Sequence, residues 1–146
     1  MGALSALAGT KIYLDANIFI YAVEGLAPFA ARLAALFTRF NSGTLHAVTS
    51  DLTVAEVLVK PMRDGNTALR DTFAQMLRTS KSLTMAAVSR GILEQAAALR
   101  ATSSLKLPDA IHAATAMDHR CTTFLANDRL FSAVPMLPVL HLSDLR

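Results

Sequence analysis

Short apolar segments alternate with longer amphipathic segments along this chain. The short segments predict strands over 11–15, 46–49, 122–126 and 139–142, with a weaker candidate over 82–85. Helical patterns or turn residues separate these segments from one another. The order of elements is therefore typical of a chain that alternates strand and helix.

The longer segments have the spacing of helices. In 28–40 five apolar side chains recur on one face: Phe29, Leu33, Leu36, Phe37 and Phe40. Ser50 or Asp51 can cap a helix that ends at Lys60, because Pro61 follows it. Further helices are predicted over 67–79, from Val88 towards Thr102 and over 108–117, with a turn or short helix over 128–131.

Strands separated by helices predict an α/β fold with a mainly parallel central sheet flanked by helices on both faces. The chain has 146 residues, of which 53% are hydrophobic, so residues 1–146 can bury a core as a single domain. In such sheets ligands bind beyond the carboxyl ends of the strands, where the strand order reverses. Functional side chains are therefore expected at that edge.

The composition favours a cytoplasmic protein. Cys121 is the only cysteine, so no disulfide can form within the chain, which fits a reducing compartment. The longest run without Asp, Glu, Lys or Arg, residues 130–143, contains two prolines and is too short to span a bilayer. Residues 1–10 lack the basic start of a signal peptide. Neither export nor membrane insertion is expected.

Positive charge is concentrated in the middle of the sequence. The stretch 60–106 has eight basic and three acidic residues, whereas the rest has six basic and eight acidic residues. A set of solvated helix faces is the simpler interpretation of this stretch. A basic surface that attracts a polyanion such as RNA is the more specific one.

Four acidic residues occur in or beside apolar segments, where an unpaired charge is costly. Asp15 ends the first strand, Glu56 lies in the apolar stretch 52–59, Asp109 follows Pro108 at a helix start, and Asp128 follows the strand 122–126. Helix starts and strand ends can converge at one edge of a parallel sheet. Four carboxylates at one edge suggest a site for a divalent cation.

Each of these acids also has a structural explanation. Asp15 can cap the following helix, Glu56 can form a capping box with Thr53, and Asp109 suits the first turn after Pro108. Asp128 follows Asn127 in what reads as an ordinary turn. No single acid indicates a functional site, but the occurrence of all four in such positions favours one.

The motifs that contain these acids resemble those of a known family. They are Asp15-Ala16-Asn17 after an apolar strand, Glu56 in an apolar helix, the segment Leu107-Pro108-Asp109-Ala110-Ile111-His112-Ala113-Ala114-Thr115-Ala116, and the segment Ala126-Asn127-Asp128-Arg129-Leu130-Phe131. In order and spacing they look like the successive motifs of PIN-domain ribonucleases. Together with the chain length, they most closely resemble the toxins of VapBC-type toxin-antitoxin pairs.

The resemblance implies a PIN-like fold, an endoribonuclease activity and an acidic metal site. Asp15, Glu56, Asp109 and Asp128 would form that site, with Asn17 as a supporting polar residue. The partners implied are an RNA substrate, a small cognate antitoxin protein and a second copy of the chain in a homodimer.

Phosphodiester hydrolysis is consistent with such a site. It requires an attacking hydroxide, stabilisation of charge on the phosphoryl oxygens and help for the leaving oxygen, and Mg²⁺ or Mn²⁺ can provide all three. The acids are therefore interpreted as ligands of one or two ions and as groups that position water. Asp15 and Asp109 are the principal ligands, and Asp128 is assigned a contact through water.

A few other residues are candidates for the site or for its surroundings. Ser50 and Arg129 are candidate substrate contacts, although Ser50 suits a helix cap equally well. His112 and His119 lack the compact spacing of a zinc site, so structural or supporting roles are favoured for them. Lys60 and Arg63 would line a substrate groove only if their helix continued past Pro61.

Three other functions remain open from the sequence. A PIN-like module without activity would bind but not cleave, and a housekeeping nuclease would process RNA without an antitoxin. An aspartyl-phosphate phosphatase would use Asp15 as its nucleophile, but Asn17 stands where the usual partner acid would be.

Overall fold

A five-stranded sheet forms the centre of the molecule. The structure, a computed structural model, describes Leu7 and residues 10–79 and 81–145. Its strands are β1 (Lys11–Leu14), β2 (His46–Ser50), β3 (Leu83–Ala86), β4 (Thr123–Ala126) and β5 (Val139–His141). The five strands predicted from the sequence are thus all present.

The strands lie in the order β3-β2-β1-β4-β5, and all four pairings are parallel. β1 is central, with Tyr13 opposite Val48 of β2 and opposite Phe124 of β4. From β1 the chain proceeds first towards one edge of the sheet and later towards the other. The strand order therefore reverses at β1, which places a crevice beyond its carboxyl end.

Six α-helices cover the sheet in the part of the chain that the structure describes. They are α1 (Ala16–Glu24), α2 (Ala30–Asn41), α3 (Leu52–Arg63), α4 (Thr67–Thr79), α5 (Arg90–Ala101) and α6 (Leu107–Asp118). Two short 3₁₀ helices, Arg129–Ala133 and Leu142–Asp144, lie near the carboxyl-terminal end. The predicted α/β architecture, a parallel sheet between two helical layers, is confirmed.

The alternation of side chains along β1 divides the core into two halves. Ile12 and Leu14 belong to an apolar cluster with residues of α1 to α4. Tyr13 points to the other face and belongs to a cluster built largely from α5, α6 and β4. All three side chains are fully buried, whereas Lys11 at the start of the strand is partly exposed.

The helix predicted to end at Lys60 continues to Arg63, so that part of the prediction is wrong. Pro61 lies inside α3 and is buried. Proline has no N–H and normally ends a helix, but here the backbone N–H groups of Asp64 and Asn66 donate to the carbonyls of Lys60 and Pro61 at 3.0 and 2.8 Å. Burial of the ring and these bonds hold the last turn together.

No helix among the described residues is long and apolar enough to cross a membrane.

Candidate active site

Asp15 and Asp128 lie at the carboxyl ends of the two adjacent strands β1 and β4. Asp15 is the N-cap of α1, where its Oδ1 accepts a hydrogen bond from the backbone N–H of Ile18 at 3.3 Å. It is nevertheless only 4% exposed. Asp128 caps the 3₁₀ helix in the same way, through the backbone N–H of Leu130 at 2.9 Å.

Glu56 and Asp109 come from the starts of two helices. Asp109 is in the first turn of α6, after Pro108, and is partly buried. Glu56 lies on α3 just beyond the first turn. The capping box with Thr53 is not formed, because the Thr53 hydroxyl lies 2.7 Å from that of Thr49 and Glu56 contacts another helix.

Burial and neighbouring charge both act on Asp15. The pKa of Asp15 is raised from 3.8 to about 6, chiefly by loss of solvent, and the charges of Asp109 and Glu56 contribute in the same direction. His112 and the Ile18 N–H favour the ionised form and oppose these effects. Asp15, Glu56 and Asp109 therefore lie within range of one another's charge.

Asp128 joins this group through Asp109. Burial raises the pKa of Asp109, and the charges of Asp128 and Glu56 add to the increase, while His112 and Lys106 oppose it. The structure thus brings the four predicted acids to one edge of the sheet, with Asp109 in electrostatic contact with Glu56, Asp128 and Asp15.

None of the four acids has a Lys or Arg at ion-pair distance among the described residues. Among the described residues, Lys and Arg form ion pairs with other carboxylates, Lys60 with Glu24 and Arg70 with Asp71. One oxygen each of Asp15, Glu56 and Asp128 accepts a hydrogen bond within the protein. Their second oxygens make none in this part of the chain and remain available to a ligand.

The carboxylate oxygens of the site are suitable ligands for a divalent cation, although the side chains are not already arranged to bind one. Carboxylate oxygens are the hard ligands that Mg²⁺ and Mn²⁺ prefer, and a bound cation would relieve the mutual repulsion of these acids. As the described side chains stand, no three Asp, Glu, His or Cys residues form a group that could hold a metal ion. Binding would require rotation of one or more acids.

A buried histidine links the acids to the core. His112, on α6, is 2% exposed. Its Nε2 lies 2.5 Å from Oε1 of Glu56, and its Nδ1 lies 2.6 Å from the hydroxyl oxygen of Tyr13. His119 is the C-cap at the opposite end of the same helix, away from Asp109. The histidines therefore play different parts, and His112 alone contacts a site residue.

Tyr13 was not predicted as part of this site. Burial raises its pKa well above the usual 10, with a further contribution from the charge of Asp15, while Thr49 and the backbone of Ser50 act in the opposite direction. The sequence did contain a signal for this contact, namely the spacing of Tyr13 and His112 from the two nearest acids. Tyr13 precedes Asp15 by two residues on a strand, and His112 follows Asp109 by three on a helix, so each pair shares a face.

The remaining candidates differ in their exposure. Asn17 is exposed on the first turn of α1, and Arg129 is exposed beside Asp128. Ser50 is fully buried, and its Oγ accepts a hydrogen bond from the backbone N–H of Leu52 at 3.0 Å. Asp51 is the N-cap of α3, and Ser50 precedes it with its buried hydroxyl bonded to the backbone at the helix start.

The model of the PIN domain family matches residues 12–137. The chain therefore belongs to the PIN domain family, as the resemblance of its motifs predicted. No curated protein matches the chain in sequence.

Solved structures of toxin-antitoxin proteins share this fold. A toxin-antitoxin complex from Klebsiella pneumoniae is 26% identical with a TM-score of 0.67, and the match covers 90% of this chain and 97% of that one. VapBC2 from Rickettsia felis, bound to a DNA fragment from its promoter, is 16% identical with a TM-score of 0.68 over 90% and 98% of the two chains. The sarcin-ricin loop cleaving toxin VapC20 from Mycobacterium tuberculosis is 21% identical with a TM-score of 0.66 over 88% and 98%.

Proposed function

We propose that the protein is a metal-dependent endoribonuclease that hydrolyses phosphodiester bonds of RNA. The observation that carries this proposal is the convergence of Asp15, Glu56, Asp109 and Asp128 where the strand order reverses, with no Lys or Arg of the described residues at ion-pair distance. Membership of the PIN domain family supports the same function.

The four acids would have different roles in binding the metal. Asp15 and Asp109 would hold one or two Mg²⁺ or Mn²⁺ ions, Glu56 would complete the set, and Asp128 would act through water. A cation bound there would stabilise negative charge on the phosphodiester and make an attacking water more acidic. Asn17 would support the site from the first turn of α1. Arg129 would contact a phosphate of the substrate.

We propose further that the protein is the toxin of a toxin-antitoxin pair in the cytoplasm. Its partners would be a small antitoxin and a second copy of the chain. The solved structures with the same fold include VapBC assemblies and the Klebsiella pneumoniae complex, and the match covers almost the whole of each of those chains.

The test is RNA cleavage by purified protein that has been separated from any antitoxin. We expect single-stranded or loop RNA to be cut only when Mg²⁺ or Mn²⁺ is present. Asp15→Asn and Asp109→Asn should each lower the rate by orders of magnitude while the domain remains folded. Asp118→Asn, an exposed acid on the same helix α6, should cleave like the wild type. Full activity in excess EDTA would contradict the proposal.

The alternatives give different results in the same preparation. A module without activity would bind RNA but leave it intact with either metal. A phosphatase would leave phosphate trapped on Asp15, and a housekeeping nuclease would lack a neighbouring gene for a small antitoxin.

A further inference from the structure

The buried contact between Tyr13, His112 and Glu56 has no part in the function proposed above. Tyr13 is 0% and His112 is 2% exposed, while the side chain of Glu56 is 31% exposed. The three polar groups therefore form a chain that leads from the core to the acidic site. It joins three separate elements, β1, α6 and α3.

The hydrogen positions follow from the partners. The phenol of Tyr13 has one proton, and a buried hydroxyl requires an acceptor for it. The nearby Thr49 hydroxyl donates to the carbonyl of Leu14 at 2.6 Å, whereas Nδ1 of His112 lies 2.6 Å from the Tyr13 oxygen. If Tyr13 donates to Nδ1, the proton of a neutral imidazole is on Nε2, which then donates to Oε1 of Glu56.

An apolar residue would fill the position of His112 at lower cost. Neighbouring positions of α6, including Ile111, Ala113 and Ala114, are buried and apolar. A buried imidazole has to satisfy two nitrogen atoms, and here one of its two partners is a carboxylate of the candidate site. No other hydrogen bond to the Glu56 carboxylate occurs among the described residues. This long side chain would otherwise sample several rotamers.

We propose that His112, oriented by Tyr13, is a positioning residue for Glu56. The bond from Nε2 would hold Oε1 and leave Oε2 free to serve as a cation ligand. His112 does not touch the cation or the RNA, and its effect is exerted through Glu56. The inference rests on the proposed metal-dependent function, because it assigns Glu56 to the cation site.

The first test is Mn²⁺ affinity measured by calorimetric titration without RNA. We expect Tyr13→Phe and His112→Leu each to weaken Mn²⁺ binding by about tenfold, the lower end of the range for residues that orient a metal ligand. His112→Gln should recover most of the affinity, because its amide can donate to Glu56. Thr115→Val is the matched control. It removes another buried polar group from α6, whose one hydrogen bond among the described residues is to the Ile111 carbonyl.

A double-mutant cycle separates positioning from general support of the fold. In a Glu56→Gln background, His112→Leu should cause no further loss of Mn²⁺ affinity, because the group through which it acts is already changed. A purely structural histidine would cause the same loss in both backgrounds, and that result would overturn the inference. If His112→Leu does not fold, as judged by melting in EDTA, Tyr13→Phe carries the cycle, since its ring can still stack on Phe124.

A second readout does not depend on metal. In ¹⁵N-labelled protein with EDTA, we expect NMR spectra to show His112 with its proton on Nε2. A proton on Nδ1 with Nε2 bare would overturn the assignment. Wild-type protein that neither binds Mn²⁺ nor cleaves RNA would overturn the proposed function and this inference together. Wild-type protein that does both, with His112→Leu unchanged in Mn²⁺ affinity, would overturn the inference alone.

Discussion

Asp15 is a carboxylate that the folded protein holds in an unfavourable environment. Its pKa is raised to about 6, chiefly by burial, whereas in the unfolded chain it is close to 3.8. The folded state therefore binds a proton more tightly than the unfolded state does. The contribution of the protonated form to stability is complete below about pH 4 and is lost as the pH rises through 6.

Asp15→Asn should consequently stabilise the metal-free protein at pH 7.5 but not at pH 4. The shift of roughly two pKa units corresponds to at most about 3 kcal/mol, and Asn keeps the cap on α1. Urea unfolding of both proteins in EDTA at the two pH values measures the difference. Asp118→Asn serves as the control and should show no such dependence. An equal advantage at both pH values would mean that the ionisation of Asp15 is not its cause.

Asp109→Asn should trade activity against metal-free stability. Repulsion from Asp128 and Glu56 is relieved when the charge of Asp109 is removed, while the favourable charge at the start of α6 is lost as well. We expect a melting temperature in EDTA equal to or above that of the wild type, and a smaller increase on addition of Mn²⁺.

Thermal melts across a Mn²⁺ titration measure both effects of this change. A variant that is clearly less stable in EDTA and responds normally to Mn²⁺ would show that Asp109 is mainly a helix-start residue.

Helix α3 connects the acidic site to the basic stretch. Because it continues past Pro61, Lys60 and Arg63 lie one and two turns beyond Glu56 on an unbroken helix. Both are exposed, and the ion pair of Lys60 with Glu24 spans 3.9 Å at the surface. Such a pair contributes little to stability, so both basic groups remain available to a polyanion.

Neutralising these two residues should weaken RNA binding and its dependence on salt. For Lys60→Gln with Arg63→Gln we expect the slope of log K against log salt to fall by roughly 0.7 to 1 for each lost contact. Filter binding with the inactive Asp15→Asn protein measures this without cleavage. Arg90→Gln with Arg100→Gln, two exposed positions on α5, is the matched control. An unchanged slope would mean that Lys60 and Arg63 are solvated surface charges that do not contact RNA.

The elements were predictable where local signals agreed with packing. Helix α4 occupies the predicted range 67–79, because Gly65 and the apolar spacing both define it locally. The end of α3 was not predictable, because burial of Pro61 by other elements overrides its local preference. The contact of Tyr13 with His112 also required the strand order, since it joins residues 99 positions apart.

At the scale of the whole molecule, the convergence of the four acids was predictable, because Asp15 and Asp128 follow parallel strands while Glu56 and Asp109 lie near the starts of helices. The cap formed by Asp15 was predictable as well, but the contact of Glu56 with His112 was not, because it joins residues 56 positions apart in the sequence. The assembled site predicts a cellular effect.

Induction of the chain alone should arrest growth and create new RNA ends at a limited set of single-stranded sites. Both effects should be absent with Asp15→Asn and unchanged with Asp118→Asn. Sequencing of RNA ends after induction measures this, and arrest by both variants alike would contradict it.

The central position of β1 also has a consequence for synthesis of the protein. The hydrogen bonds that begin the pairing of β1 with β4 join Lys11 to Thr122, 111 positions further along the chain. At about 5 to 20 residues per second, a ribosome needs roughly 6 to 20 seconds to add that length. During this interval β1 exists without β4, its later neighbour in the sheet. A nascent chain in which β4 and Asp128 have not yet been added therefore has no complete acidic site next to the translation machinery.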